Sequence, residues 1–359
     1  MQAADVEGCK LRHEPYFPRL AALLRTCYKC LVTHPRSQAR PARPAPHRKA
    51  VYMYRSLLVP LDGSQFGEHA LPLALGIARR AGATLHLVHV HAITTPISVD
   101  AIPVYDEELD AQDRARERAY LDDLARRLSN NGASRVITAV LDDPIADALR
   151  TYAAAHDIGL VVMTTHGRGA FSRFWLGSVT DSLVRCAPMP ILLVRPQETP
   201  PDLAQAPAIN HILVPLDGSA LAEHILPPAT ALGALTDAVF TLVHVIAIEA
   251  AGYKTDWPIV RSVAGALAAT RASAQTYLDR VAERLGAQSL VAHTAVIGGQ
   301  PAPAILEYAH DHAIDLVALA THGRSGAARL LLGSSADKIV RGATTPVLLY
   351  RPPNDAREA

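Results

Sequence analysis

One stretch of this chain occurs twice. Leu58-Val59-Pro60-Leu61-Asp62-Gly63-Ser64 returns as Leu213-Val214-Pro215-Leu216-Asp217-Gly218-Ser219. Thr165-His166-Gly167-Arg168 returns as Thr321-His322-Gly323-Arg324, and Leu176-Gly177-Ser178 as Leu332-Gly333-Ser334. The three separations differ by a single residue, so the chain holds two copies of one unit with one net insertion. The shared Asp, Gly and Ser residues sit where strands should end, the usual address of chemistry in an α/β protein.

Of the 359 residues, residues 1–52 read as a disordered, Arg- and Pro-rich extension. A plainer reading starts translation at Met53. Cys27-Tyr28-Lys29-Cys30, with His13 and His34 nearby, lacks the second pair that a zinc site would need. The body divides into domain one at 53–196, a proline-rich linker at 197–209, domain two at 210–352 and a tail at 353–359. Lys plus Arg number 35 against 34 for Asp plus Glu, so no excess positive charge steers a nucleic-acid partner. No apolar run approaches the roughly eighteen residues of a membrane span. These features predict a cytoplasmic protein with neither nucleic-acid nor membrane partners.

Within unit one, short apolar runs predict strands at Arg55–Leu61, Thr84–Val90, Arg135–Leu141, Gly159–Thr165 and Pro190–Val194. Helical spacing places helices over Glu68–Ala81, Glu107–Leu128, Ile145–His156 and through Cys186. Ile93–Pro103 reads as a polar loop, and the Asp113–Arg127 charge run as an exposed helix face. Unit two repeats the pattern, with strands near His211–Leu216, Val239–Val245, Leu290–Ile297, Asp315–Ala320 and Pro346–Tyr350. Strands alternating with helices predict a parallel sheet covered on both faces.

In each unit a glycine, nine further residues and Gly-Ser follow strand four: Gly167 to Gly177-Ser178, and Gly323 to Gly333-Ser334. Backbone amides and a Ser hydroxyl at a helix start suit phosphate oxygens. The same glycines could equally serve only the turn geometry. No GxxxxGK[ST] occurs, and Lys10, Lys29, Lys49, Lys254 and Lys338 all lie outside both loops, so a P-loop is excluded. Neither a GxGxxG after the first strand nor a GxSxG elbow is present.

These motifs, with His89-Val90 and His244-Val245 closing strand two and a Pro-Ile/Val-Leu-Leu last strand, resemble the universal stress protein family in tandem. The resemblance implies two five-stranded, Rossmann-like parallel α/β sandwiches of strand order 3-2-1-4-5. It also implies ATP as the bound adenine nucleotide, with room for Mg²⁺. The candidate site is Asp62, Val90, Thr164, His166, Gly167, Arg168, Gly177 and Ser178 in repeat one, of which the resemblance carries over Asp62, Val90, Gly167, Gly177 and Ser178. In repeat two it is Asp217, Val245, Gly299, Ala320, His322, Gly323, Arg324, Gly333 and Ser334. Asp62 and Asp217 have a second reading as turn residues, and His166 and His322 as loop-orienting rather than catalytic groups. Arg168 and Arg324 fit phosphate contact or a solvated surface equally. Thr164 and Ala320 depart from the first signature glycine.

After strand three, where the resemblance implies a G-x-P in the pocket wall, repeat two has Gly299-Gln300-Pro301 and repeat one has Asp142-Asp143-Pro144 instead. A carboxylate about 4 Å from a triphosphate costs about 1 kcal/mol in water and about 4 at intermediate dielectric. A Mg²⁺ bridge would reverse the sign. Without a cation, repeat two is therefore expected to be the better site. The expected function is that of a nucleotide-gated stress-response regulator, not an enzyme. A slow metal-dependent ATPase and a scaffold that binds no nucleotide remain as alternatives. The repeats should form an internal pseudo-dimer through Ile191–Val194 and Val347–Tyr350, leaving a homodimer of chains open. The downstream protein partner is not legible.

Overall fold

A computed structural model of the chain describes residues 53–92, 97–99, 102–104, 107–142, 144–166, 176–247, 257–321 and 333–352; side chains of 97–99, 102–104 and 257–264 are not described. The extension, its cysteines and the tail beyond 352 lie outside these residues.

Repeat one runs β1 (Ser56–Leu61), a 3-10 turn (Gly67–Ala70), α1 (Leu71–Ala81), β2 (Thr84–His91), β3 (Ile97–Val99), β4 (Ile102–Val104) and α2 (Glu107–Asn130). It continues with β5 (Arg135–Asp142), α3 (Ile145–Ala155), β6 (Leu160–Thr164), α4 (Ser178–Cys186) and β7 (Ile191–Val194). Repeat two follows with β8 (His211–Pro215), α5 (Ala220–Glu223), α6 (Leu226–Thr236), β9 (Val239–Ile246) and α7 (Trp257–Gly286). It ends with β10 (Ala292–Gly298), α8 (Pro301–Asp311), β11 (Leu316–Ala320), α9 (Ser334–Gly342) and β12 (Val347–Tyr350). The main strands appear where the apolar runs predicted them.

Two differences have physical causes. Pro72, early in α1, has a preset φ and no N–H to lose, and the preceding residues tighten into a 3-10 turn rather than extending the helix to Glu68. β3 and β4 form an antiparallel hairpin, with Ile97 opposite Val104, inside the segment read as a loop. Pro103 argued against a strand, yet a two-stranded hairpin is all edge and tolerates a missing donor.

The ten main strands join in one sheet, β10-β9-β8-β11-β12-β7-β6-β1-β2-β5. Each half has the order 3-2-1-4-5. All neighbours are parallel except β12 and β7, which pair antiparallel with Leu348 opposite Leu192. Pairing the two final strands removes both as apolar edges, as their sequence predicted.

Side-chain alternation sorts the strands between two cores. Leu57 and Val59 face α1, α2, α6 and α7, whereas Leu58 faces the layer that includes Leu149, Leu183, Ile305 and Ile339. Both cores contain residues from both repeats. α1 is buried almost all round because α6 of the other repeat packs against it. The buried Tyr54 hydroxyl donates to the Pro228 carbonyl at 2.7 Å across the same boundary. Among the described residues no helix is long and apolar enough to cross a membrane.

Candidate functional site

Each repeat places its Asp-Gly-Ser turn at the carboxyl end of its first strand, beside the neighbour where the strand order reverses. The Ser64 N–H and hydroxyl donate to Asp62 Oδ1 at 3.0 and 2.6 Å. Ser219 does the same to Asp217 Oδ1 at 2.9 and 2.6 Å. Each Ser oxygen then accepts the N–H three residues on, from Gly67 and Ala222 respectively. Gly63 and Gly218 have φ of 75° and 86°, a region that favours glycine. One oxygen of each Asp thus builds the turn, so the turn role is physically present in both copies.

In repeat two the turn forms one wall of an open cavity of about 570 Å³. Asp217, Gly218 and His244 come from the strand ends; Ala269, Thr270, Ser273, Ala274 and Tyr277 come from α7. Apart from Tyr277, the helical wall is made of small residues on one face, at three- and four-residue spacing. A Cβ added at Gly218 would meet nothing within 4 Å. His244 Nδ1 is buried with no hydrogen-bond partner among the described residues. The Tyr277 hydroxyl lies beside Glu223, buried and without a well-formed hydrogen bond. Burial, then the nearby Glu223 and Asp217 carboxylates, push its pKa up, so it stays a donor.

Among the described residues proposed from sequence in repeat two, Asp217 alone lines this cavity. Val245 lies half-buried in β9, and Ala320 ends β11. Gly299, with φ of 135°, donates its N–H to the Ile246 carbonyl at 3.0 Å. Gly333 is the N-cap of α9, with no side-chain cap, and the exposed Ser334 opens the helix. His322, Gly323 and Arg324 lie outside the described residues, as do Gly167 and Arg168.

In repeat one, Val90 is half-buried in β2, and Thr164 ends β6 with its carbonyl accepting from the Thr180 hydroxyl at 3.1 Å. Gly177 is the N-cap of α4 and donates its N–H to the Thr165 carbonyl at 2.8 Å; Ser178 follows, exposed. His166 Nδ1 lies 3.0 Å from the Thr165 hydroxyl. Burial, then Arg195, lowers its pKa.

The corresponding space of repeat one is differently furnished. His91, 1% exposed, has Nδ1 3.0 Å from both Glu117 carboxylate oxygens and Nε2 2.8 Å from Asp110 Oδ1. Glu117 Oε1 also lies 3.3 Å from His89 Nε2. Arg114 donates to Asp110 at 2.8 Å and to Asp142 at 2.7 Å. Burial by itself disfavours the imidazolium, but the hydrogen bonds to Glu117 and Asp110 outweigh it and hold the His91 pKa above its ordinary value.

Two sequence expectations are corrected by this cluster. Glu117 and Arg114 belong to the run read as an exposed face, yet both turn towards the β2 and β5 strand ends. Asp142 does not correspond to Gly299: the register sets His91 opposite Asp142 and Ile246 opposite Gly298. Gly299 therefore answers to Asp143, outside the described residues. Asp142 is ion-paired with Arg114 rather than poised as a lone charge. Sequence reasoning also passed over the small-residue face of α7. Its period was legible, but Ala, Thr and Ser carry no apolar signal strong enough to flag it.

A family model described as the universal stress protein family matches residues 53–195 and again 208–351. Putative universal stress proteins of Staphylococcus epidermidis and Staphylococcus aureus are each 32% identical over 151 residues, covering 42% of this chain and 89% of theirs. A universal stress protein structure from Archaeoglobus fulgidus superposes with TM-score 0.62 at 18% identity, covering 83% of this chain and 99% of that one. One described as a putative universal stress protein from Pseudomonas aeruginosa gives 0.59 at 19% identity, covering 86% and 96%. These two likenesses show the fold. With two matched segments and the strand order repeated in each half, the chain belongs to the universal stress protein family and carries its domain twice.

Proposed function

We propose that repeat two binds an adenine nucleotide, ATP, and that the chain works as a nucleotide-gated regulator of a cytoplasmic stress response. The observation that carries this reading is the open cavity beside Asp217 and His244. It lies where ligands of open α/β sheets bind, within the size range of small-molecule sites. The fit is chemical as well as spatial. The buried His244 nitrogen with no partner among the described residues and the hydroxyls of Thr270 and Ser273 offer polar contacts to a nucleoside, and the space over Gly218 is open. The uncapped start of α9 at Gly333 and Ser334 offers amides to phosphate. Bound ATP would bring the negative charge that such amides stabilise.

Binding rather than turnover fits the lining. Asp217 Oδ1 is engaged by Ser219, the helical wall is largely Ala, Thr and Ser, and burial keeps Tyr277 protonated. No proton-transfer pair within hydrogen-bond reach is found among the described lining residues.

Isothermal titration with Mg-ATP tests the reading. The full chain is expected to saturate. Ala274→Glu, which sets a carboxylate in the cavity wall, and Ser273→Trp, which blocks it from an exposed position, should each weaken binding at least tenfold with an unchanged circular dichroism spectrum. Absence of saturation by the wild-type chain at millimolar ATP, or unchanged affinity in both variants, contradicts it.

A further inference from the structure

The helix above the cavity has the same register in both repeats. Tyr120, Leu121 and Leu128 on α2 occupy the places of Tyr277, Leu278 and Leu285 on α7, packed on the same sheet face. Glu117 therefore takes the place of Ala274, which lines the cavity of repeat two, and His89 takes the place of His244, its opposite wall. The 3.3 Å approach of Glu117 to His89 means that a carboxylate spans from the helical wall to the strand wall, across the space left open in repeat two.

That carboxylate is anchored. Both its oxygens lie 3.0 Å from His91 Nδ1, and the other nitrogen of His91 is held by Asp110, itself clamped by Arg114. Ile246 and Leu267 replace His91 and Asp110 in repeat two, so the anchor belongs to repeat one alone.

We propose that Glu117 is a built-in plug, filling in repeat one the ligand space that repeat two keeps open, so that the chain binds one nucleotide and not two. A carboxylate held there repels an anionic ligand as well as occupying its volume. The plug makes repeat one a latent site, opened by removing one side chain. The nucleotide count rests on the reading of repeat two given above; the plug itself can be tested without ligand.

The experiment combines equilibrium dialysis against Mg-ATP with a nucleotide-free crystal structure of the Glu117→Ala protein. Wild type is expected to bind one ATP per chain, and Glu117→Ala two. The double variant H91I/E117A, which carries the repeat-two residues at both positions, should also bind two and covers the case in which an unpaired His91 destabilises the single variant. The crystal structure should show a cavity beside His89 like that beside His244. Two equal sites in the wild type overturn the plug and leave the repeat-two reading standing. A count that stays at one in both variants, or a crystal structure with the space closed by collapse of α2, also overturns it. If no protein binds ATP, the repeat-two reading falls, and the crystal structure still decides whether Glu117 fills a cavity.

Discussion

His91 ties the closed state of repeat one to pH. With a carboxylate at each ring nitrogen, only the protonated ring donates at both. The groups facing it are Glu117 and Asp110 on α2, with Arg114 behind them, His89 on β2 and Asp142 at the end of β5. Its folded pKa lies above the ordinary value of about 6.5. The folded state therefore binds the proton more tightly than the unfolded one. This contribution to stability is complete below about pH 6.5 and is lost as pH rises through the folded pKa. The urea midpoint should fall across that window in the wild type and fall less in His91→Gln; identical slopes would contradict the linkage. The turn serines predict a smaller effect. Ser219→Ala removes the cap of α5 and one donor to Asp217, and should lower stability by about 1 kcal/mol in the same assay. Asp-Gly-Ser was legible as a turn because its chemistry is local. Glu117 was not, because its burial depends on His91, distant in sequence, and a charge run by itself predicts solvent.

At the scale of elements, the apolar runs located the main strands because alternation between two buried faces leaves a dense Val/Leu/Ile signal. The β3–β4 hairpin escaped because Pro103 and short length weaken that signal. β6 is held so close to the start of the described chain that a Cβ at Gly159 would sit 1.8 Å from the Met53 carbonyl oxygen. Gly159→Ala must move one of the two backbones and should cost about 3 kcal/mol, the upper end of ordinary overpacking. Gly265, in the interior of α7, has nothing within 4 Å of an added Cβ. Gly265→Ala should instead stabilise by about 0.5–1 kcal/mol, from helix propensity alone. Equilibrium urea unfolding of the two variants should give shifts of opposite sign; shifts of the same sign would refute the contrast.

For the whole molecule, the antiparallel joint of β7 and β12 makes two repeats into one sheet with two shared cores. Arg195 strengthens it, its guanidinium donating to the Ala343 and Arg341 carbonyls at 2.9 and 3.1 Å. Calorimetry should accordingly show a single unfolding transition whose calorimetric and van't Hoff enthalpies agree; two separated transitions would mean independent repeats. The joint was legible, since two apolar final strands need cover. The structural difference between the halves was not legible, because it lies in which α2 and α7 side chains reach the strand ends. Hydrogen exchange of the full chain with and without Mg-ATP tests the central claim most directly. Protection is predicted at Asp217–Ser219, at Val245 and at the start of α9, with the amides of Asp62–Ser64, Val90 and the start of α4 unchanged. Equal protection in both repeats, or none in repeat two, would contradict it.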